Sequence, residues 1–543
     1  MRISELIQGA MIVLFCGIYV LYIAPMMFAF LFVWIGALTI TDVVNVARHD
    51  APIVLDPAAL AEVAKTRQHI EELATEPTPV YGVSTGFGAL ARRHIPQELR
   101  TQLQRSLVRS HAAGSGPEVE RDVIRALMLL RLSTLMTGRT GVRPVVVETY
   151  AALLNAGITP IVYEYGSLGC SGDLAPLAHC ALALMGEGDV RLADGTKTPA
   201  ADALAAAGIT PLILAEKEGL ALINGTDGML GMLCLTLADL ANLITTADIA
   251  TAMTLEGLRG TPTVFADDLQ QLRPHPGQAR CAANIRTLVA DSGILAAAHA
   301  EFQRNHVQDA YSIRCSPQVT GAVRDTADYA TTVANRELAA AIDNPVVTLD
   351  GRVVSNGNFH GAPIAYVLDF LAIAVADLAS ISERRTDRFL DVARNRGLNA
   401  FLADDPGVDS GHMIAQYTQA SIVSELKRNA APASVDSIPS SAMQEDHVSM
   451  GWSAGRKLRR SIDGLARVLA IEILTAARAI DLRTTDDTNT PAPGTGAVVA
   501  RLRETVAGPG TDRYLAPEIA EVVALVMDGS LVAAAEHAVG ELY

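Results

Sequence analysis

Aromatic residues and paired cysteines are scarce in this sequence. Only 5% of the 543 residues are aromatic although 50% are hydrophobic, so alanine, leucine and valine supply most of the apolar content. This composition favours helices over sheets. The cysteines are scattered without any Cys-x-x-Cys pair, at Cys16, Cys170, Cys180, Cys234, Cys281 and Cys315. We therefore expect neither a zinc site nor a disulfide framework, and the pattern suits a reducing cytoplasm.

An excess of positive charge and the common nucleotide-binding motifs are also missing. The net charge of −16 argues against nucleic acid and anionic membrane surfaces as partners. The glycine-rich segment at 166–172 has neither the Gly-x-Gly-x-x-Gly spacing of dinucleotide sites nor a following Gly-Lys-Ser/Thr. His360 and His447 have no second ligand at helical or zinc spacing, so they are interpreted as ordinary hydrogen-bonded histidines and no metal is expected.

The amino-terminal segment contains no charged residue from Leu6 to Thr41. Residues 11–35 are almost wholly apolar, and a bilayer span needs about 20 such residues. We interpret residues 1–36 as an apolar extension with two alternative origins. It is either an upstream gene-start artefact, which leaves a cytoplasmic protein, or a transmembrane helix that anchors the protein through residues 11–35.

Helical periodicity dominates the remaining sequence. Residues 40–73 carry it with a break at Pro52 and Pro57, and it returns over 103–135 and from Leu174 onward. Long apolar segments follow at 228–258, 366–390 and 462–482, and charges such as Asp239 and Asp248 inside the first favour core helices of a bundle over membrane spans. We predict a mainly α protein with a loop-rich domain at 37–227 and a helical bundle with the carboxyl-terminal portion at 228–543.

The run at residues 165–179 is the most informative segment, reading Tyr-Gly-Ser-Leu-Gly-Cys-Ser-Gly-Asp-Leu-Ala-Pro-Leu-Ala-His. The nitrogen of Gly172 is unhindered and can attack the carbonyl carbon of Cys170 if the chain bends tightly there. Loss of water closes a five-membered imidazolone ring, and a second dehydration converts Ser171 into a dehydroalanine. The product is a methylidene-imidazolone, an electrophile that no ordinary side chain supplies. In isolation, a simple glycine turn explains the same residues.

This run resembles the prosthetic-group loop of the aromatic amino-acid ammonia-lyases. The resemblance extends from about Leu38 to the carboxyl terminus and continues in order through segments at 81–88, 218–226, 307–318, 343–345, 355–361 and 440–450. The family usually has alanine where this chain has Cys170. Only the backbone carbonyl of that residue enters the ring, so a small side chain is expected to be tolerated and its thiol to be a bystander.

The resemblance implies a long-helix bundle that assembles into a homotetramer, with active sites built from loops of several subunits. It implies that Ser171 supplies the electrophilic carbon and that Tyr81 is the base. Arg314 offers a planar fork suited to the substrate carboxylate. The residues that match the family's polar groups around the amine, the carboxylate and the prosthetic group are Asn224, Gln308 and Tyr311. Phe359 matches a residue near the ring.

Two positions indicate the substrate. His111 follows Ser110 where the histidine-specific members carry Ser-His, and Glu445 can hydrogen-bond an imidazole or take part in proton transfer. A buried carboxylate facing a phenyl ring would be left uncompensated. The resemblance thus implies that L-histidine is converted to urocanate and ammonia. The alternatives are a 2,3-aminomutase, a phenylalanine or tyrosine ammonia-lyase, and a membrane-tethered homologue without catalytic activity.

Overall fold

Helices make up most of the protein, as the sequence predicts. The computed structural model describes residues 31–33, 38–75, 80–86, 90, 92–302, 308–484 and 489–543. The α-helices span Ile40–His49, Pro57–Thr75, Arg100–His111, Arg121–Met136, Pro144–Asn155, Leu174–Leu184, Ala200–Ala206, Glu218–Ile223, Asp227–Gly257, Asp267–Gln271, Pro276–Leu288, Gly293–Phe302, Tyr311–Arg314, Ser316–Leu338, Ala362–Leu390, Met413–Asn429, Gly451–Arg483, Pro493–Arg503, Leu515–Met527 and Ser530–Val539. Short 3₁₀ helices lie at Gln97–Leu99, Pro262–Phe265 and Ala400–Leu402.

The strands are short and lie in small sheets. Their bounds are Leu31–Val33, Ile53–Leu55, Ser115–Glu118, Thr159–Pro160, Tyr163–Tyr165, Asp189–Arg191, Lys197–Pro199, Val346–Val347 and Val353–Val354. Leu31–Val33 pairs in parallel with Ile53–Leu55, whereas the other pairs are antiparallel. Tyr163–Tyr165, which pairs with Ser115–Glu118, leads directly into the glycine-rich loop at 166–172. The sheets therefore position loops, while the helices supply the core.

Long helices form the centre of the molecule, where Asp227–Gly257, Ala362–Leu390 and Gly451–Arg483 pack together. The first two are long and apolar enough to cross a membrane, but 78% and 61% of their most apolar windows are buried inside the protein. The charges within the first helix are compensated. Asp239 pairs with Arg48 and Arg459, and Asp248 pairs with Arg324. These contacts agree with the prediction of core helices.

Three predicted helices have different bounds in the structure, and the one expected over 366–390 begins earlier, at Ala362. The helix expected over 103–135 is divided into Arg100–His111 and Arg121–Met136, because the Gly-Ser-Gly-Pro sequence at 114–117 breaks the periodicity and part of it pairs as a strand. The helix expected over 462–482 begins earlier, at Gly451. The break at Pro52 and Pro57 is confirmed.

The expected division into an extension and two domains stays a prediction. Residues 1–30 and 34–36 of the apolar extension lie outside the described residues, as do Phe87, Gly88 and Val307 of the family-like segments. The boundary expected at residue 228 falls at the start of the Asp227–Gly257 helix. Buried apolar side chains from both sides of this boundary belong to one continuous core.

Candidate active site

The glycine-rich loop bends sharply at Gly172, where φ is +73°. A β-carbon at this position would lie 1.9 Å from the carbonyl oxygen of Gly225, so no other residue fits without moving the neighbouring backbone. The next amide, that of Asp173, donates a hydrogen bond of 2.7 Å to the same oxygen. The close approach of the two glycine segments fixes the tight bend that the sequence requires at the Cys-Ser-Gly tripeptide.

Asp173 anchors this loop to the central bundle. Its buried carboxyl group accepts hydrogen bonds from Ser167 Oγ and from the backbone N–H of Met229, each at 2.9 Å. Burial is the main reason that the pKa of Asp173 is raised to about 7. From the opposite side, Ser449 Oγ donates to the carbonyl of Gly169 at 3.0 Å. The loop is thus held by the first turn of one bundle helix and by the segment preceding another.

Ser171 opens onto a cavity of about 640 Å³. Five residues predicted for the site line this cavity together, namely Tyr81, His111, Ser171, Asn224 and Glu445. They come from distant parts of the chain: the loop at 80–86, the end of the Arg100–His111 helix, the glycine-rich loop, the end of the Glu218–Ile223 helix and the segment at 440–450. Convergence of such residues on one concave site is typical of an enzyme active site.

His111 has a defined tautomer. Its Nδ1 lies 2.9 Å from the carbonyl oxygen of Leu107, which can only accept, so Nδ1 carries the proton and donates. Burial lowers the pKa of His111 below the ordinary 6.5. The imidazole is therefore neutral near pH 7, and its Nε2 remains a hydrogen-bond acceptor.

Glu445 is oriented by a short turn. Ser440 and Glu445 exchange backbone hydrogen bonds, and Ser440 Oγ donates to Glu445 Oε2 at 3.0 Å. Burial and the nearby Glu445 carboxylate raise the pKa of the Cys170 thiol to about 12, so this thiol stays protonated. The Cys170 side chain thus lies near a residue of the cavity wall, whereas its backbone belongs to the loop.

Asn224 is a cavity-lining residue whose carboxamide is satisfied on one side only. Its side-chain Nδ2 donates to the carbonyl oxygen of Asn344 at 3.0 Å, which fixes the orientation of the carboxamide. The Oδ1 atom is buried and has no hydrogen-bond partner within the part of the chain that the structure describes. A buried acceptor is costly when it is unpaired, and Asn224 is one of the residues that line the cavity.

Besides Cys170 and Gly172, which flank Ser171 in the glycine-rich loop, four of the predicted site residues do not line this cavity within the single chain. They are Gln308, Tyr311, Arg314 and Phe359. Tyr311 is 71% exposed, and the Arg314 guanidinium lies 4.6 Å from the centre of its ring. The rings of His360 and His447 stack with centroids 5.6 Å apart. Among the described residues no group of three or more His, Cys, Asp or Glu side chains is arranged to hold a metal ion.

Comparison with known proteins accounts for this arrangement of helices and loops. The sequence model of the family described as aromatic amino acid lyase matches residues 38–504. The chain belongs to the aromatic amino acid lyase family. A relative named histidine ammonia-lyase from Streptomyces griseus is 63% identical to this lyase over 505 residues, which covers 93% of this chain and 98% of the relative.

Solved structures of two other proteins have the same fold as this lyase. A tyrosine aminomutase from Streptomyces globisporus superposes with a TM-score of 0.90 at 38% identity, covering 95% of this chain and all (100%) of the aminomutase. A histidine ammonia-lyase from Trypanosoma cruzi superposes with a TM-score of 0.86 at 35% identity, covering 94% and 96% of the two chains. The expected fold class is confirmed.

The cavity of this lyase also includes residues to which the sequence assigns no role. They include Arg93, Ser106, Leu107, Leu220, Ile223, Asn344 and Ser441. Asn344 and Ser441 lie in segments that carry the family resemblance, so a signal for them was available. Leu220 and Ile223 also lie in such a segment, at 218–226, but as apolar residues they and Leu107 have no chemical signature that marks them for the site.

Proposed function

We propose that this lyase removes ammonia from L-histidine to give urocanate. The observation that carries the proposal is that Ser171 lines the same cavity as two hydrogen-bond acceptors, His111 Nε2 and the Glu445 carboxylate. A neutral imidazole ring carries one N–H donor and an imidazolium carries two, whereas a phenyl ring has none, so histidine can donate to these acceptors and phenylalanine cannot. The relative at 63% identity named histidine ammonia-lyase supports the same substrate.

We further propose a methylidene-imidazolone formed from Cys170, Ser171 and Gly172. The residues fit this group, because the contact with Gly225 leaves no room for a side chain at position 172 and holds the bend needed for cyclisation. When formed, the ring supplies an electrophilic carbon that activates the substrate for loss of ammonia. Asp173 and Ser449 hold the loop on its two sides.

The other cavity residues bind and orient the substrate. The unsatisfied Oδ1 of Asn224 accepts a hydrogen bond from the substrate ammonium group, which is a donor without acceptor capacity. The phenolate form of Tyr81, on the loop that forms part of the cavity wall, accepts the proton from the β-carbon, and the C–H electrons form the double bond as the bond to the amine nitrogen breaks. His111 and Glu445 receive the imidazole, so the ring and the amine are fixed at two separate points. This orientation reduces the entropy cost of reaching the transition state.

Assembly into a homotetramer completes the site in this proposal. Gln308, Tyr311, Arg314 and Phe359 would come to the cavity from a neighbouring subunit, where Arg314 binds the substrate carboxylate. An apolar stripe supports self-association, because Tyr366, Phe370 and Ile373 on the Ala362–Leu390 helix are each about half exposed. A second copy of this chain is the occupant we assign to that stripe. Light scattering should give the mass of four chains, and Phe370→Asp should lower both that mass and the activity.

A cytoplasmic location follows from the proposed substrate and the scattered cysteines. The alternative, a membrane anchor through residues 11–35, makes a different prediction in a fractionation experiment. The full-length protein should appear in the soluble fraction after centrifugation of cell membranes. Recovery with the membranes, abolished by deletion of residues 1–36, would establish the anchor instead.

The direct test of the proposed reaction is an absorbance assay for urocanate. The purified protein should convert histidine and leave phenylalanine and tyrosine nearly untouched. Ser171→Ala should fold yet lose nearly all turnover, and substantial residual activity would exclude the prosthetic group. Analysis of the products distinguishes the aminomutase alternative, because accumulation of a β-amino acid in place of urocanate would exclude the lyase reaction.

A further inference from the structure

A buried ion pair lies behind the cavity wall. Lys217 Nζ is 2.5 Å from Asp343 Oδ2, and neither side chain has exposed surface. Burial of two charges is expensive, and replacing such a pair with neutral residues is often harmless to stability. A buried pair is therefore better explained by the geometry that it imposes on its surroundings. Neither residue is among those that line the cavity.

The pair fastens one end of a short helix to the turn at 343–344. Lys217 directly precedes the Glu218–Ile223 helix and has a left-handed backbone conformation with φ of +70°. Asp343 in turn accepts a hydrogen bond of 2.8 Å from the backbone N–H of Asn344. The amino-terminal end of the helix is thereby held against the segment that carries Asn344.

The opposite end of the same helix is fastened to the same turn. Asn224 follows the helix, and its Nδ2 donates to the carbonyl oxygen of Asn344. Arg131, which is fully buried, joins the two segments a second time. Its Nη1 donates to the carbonyl of Asn224 at 2.8 Å and its Nη2 to the carbonyl of Ile342 at 2.9 Å. Contacts at both ends of the helix therefore hold it in a fixed position against the turn.

We propose that Lys217 is a positioning residue that acts through Asp343 and Asn344 on Asn224. The carbonyl oxygen of Asn344 accepts a hydrogen bond from Asn224 Nδ2, which leaves Oδ1 as the carboxamide atom that can accept from the ammonium group of the substrate. This inference rests on the role given above to Asn224. Burial lowers the pKa of Lys217 and the Asp343 carboxylate opposes that shift, so the charge at this position depends on its partner.

The test compares the double variant Lys217→Met/Asp343→Asn with a matched control. Removing both charges avoids the folding penalty of an unpaired buried ion. The control, Arg324→Met/Asp248→Asn, neutralises another buried pair that does not line the cavity. Because a misplacement of about 1 Å can cost about 10²-fold, we expect kcat/KM for histidine to fall by about 10²-fold in the first variant. The control should stay within about twofold of the parent protein. Both kcat/KM values are normalised to the fraction of subunits in which the ring has formed. This fraction is measured as the loss of the mass of two water molecules.

A double-mutant cycle distinguishes an effect on the position of Asn224 from a general disruption of the structure. In an Asn224→Ala background, the Lys217→Met/Asp343→Asn change should lower kcat/KM by no more than about twofold, because its target is already absent. A full penalty in that background would overturn the proposal, as would parent-like kcat/KM in the double variant alone.

Hydrogen exchange gives a readout that does not depend on the reaction. Peptides covering 218–224 and 342–345 should take up deuterium faster in Lys217→Met/Asp343→Asn than in the control variant. Unchanged exchange in these peptides would overturn the positioning role of the Lys217–Asp343 pair, even if the parent protein makes no urocanate. Faster exchange in a protein that makes no urocanate would contradict the proposed substrate, but it would still support the positioning role of the Lys217–Asp343 pair.

Discussion

Replacing Gly172 with alanine perturbs the feature on which the proposed prosthetic group depends. The new β-carbon would lie 1.9 Å from Gly225 O, so the two backbone segments must separate. Overpacking of this kind costs about 1–3 kcal/mol, and losing the hydrogen bond from Asp173 N to the same oxygen costs about 1 kcal/mol more. The left-handed backbone adds about 1–2 kcal/mol. The variant should therefore lose roughly 3–6 kcal/mol of stability.

Gly208 provides a matched control for this substitution. Its φ is +70° and a β-carbon there would meet no atom within 4 Å, so Gly208→Ala has the backbone penalty without the collision. Urea unfolding of both variants gives the difference, which we expect to be about 2–4 kcal/mol. Peptide masses should show little ring in Gly172→Ala and complete ring in Gly208→Ala. Equal stability of the two variants together with complete ring formation in Gly172→Ala would refute the reasoning.

Further predictions concern the cavity, the pH dependence and the amino terminus. Glu445→Gln should lower kcat/KM for histidine by roughly 10- to 10²-fold, the value of a hydrogen bond to a charged group, and an equal effect on phenylalanine would remove its ring-binding role. Cys170→Ala should still form the ring and change kcat/KM by less than about threefold, because only the backbone carbonyl enters the ring; failure to form the ring would contradict this. Burial lowers the pKa of His412 to about 3, so the folded protein should lose about 2 kcal/mol of stability as the pH falls from 7 to 5, and His412→Gln should abolish that slope in urea titrations. Deleting residues 1–36 should leave full activity, and loss of assembly would show that the segment belongs to the fold.

The sign of the His412 prediction follows from proton binding. The unfolded chain has an ordinary histidine pKa near 6.5, whereas the folded protein resists protonation because the ring is buried, with Nδ1 lying 3.1 Å from the uncharged Thr475 Oγ1. Between pH 6.5 and 3 the unfolded state therefore binds more protons. Stability is complete above pH 6.5 and declines as the pH falls.

The sequence predicts the helical class and much of the site because these depend on local patterns. Apolar periodicity marks the Asp227–Gly257 helix to within one residue at each end. The glycine spacing at 166–172 indicates the tight bend that the structure contains at Gly172. The prediction of one continuous helix over 103–135 is wrong. The apolar residues on both sides favour a helix, but the Gly-Ser-Gly-Pro sequence at 114–117 divides it in two.

Contacts between distant segments could not be predicted in the same way. Nothing local to Gly172 reveals that Gly225 presses against it, and nothing local to Lys217 reveals its partnership with Asp343. Such pairs depend on how loops meet after the bundle has formed. The roles expected for Tyr311 and Arg314 rest on family resemblance, since a single chain leaves both away from the cavity.

The mass of the peptide covering residues 165–179, taken from the purified protein, tests the central claim most directly. The account predicts a peptide lighter than its sequence by the mass of two water molecules, with the change confined to Cys170, Ser171 and Gly172. The Ser171→Ala protein should lack the second dehydration. An unmodified peptide from a folded protein that still produces urocanate from histidine would contradict the account.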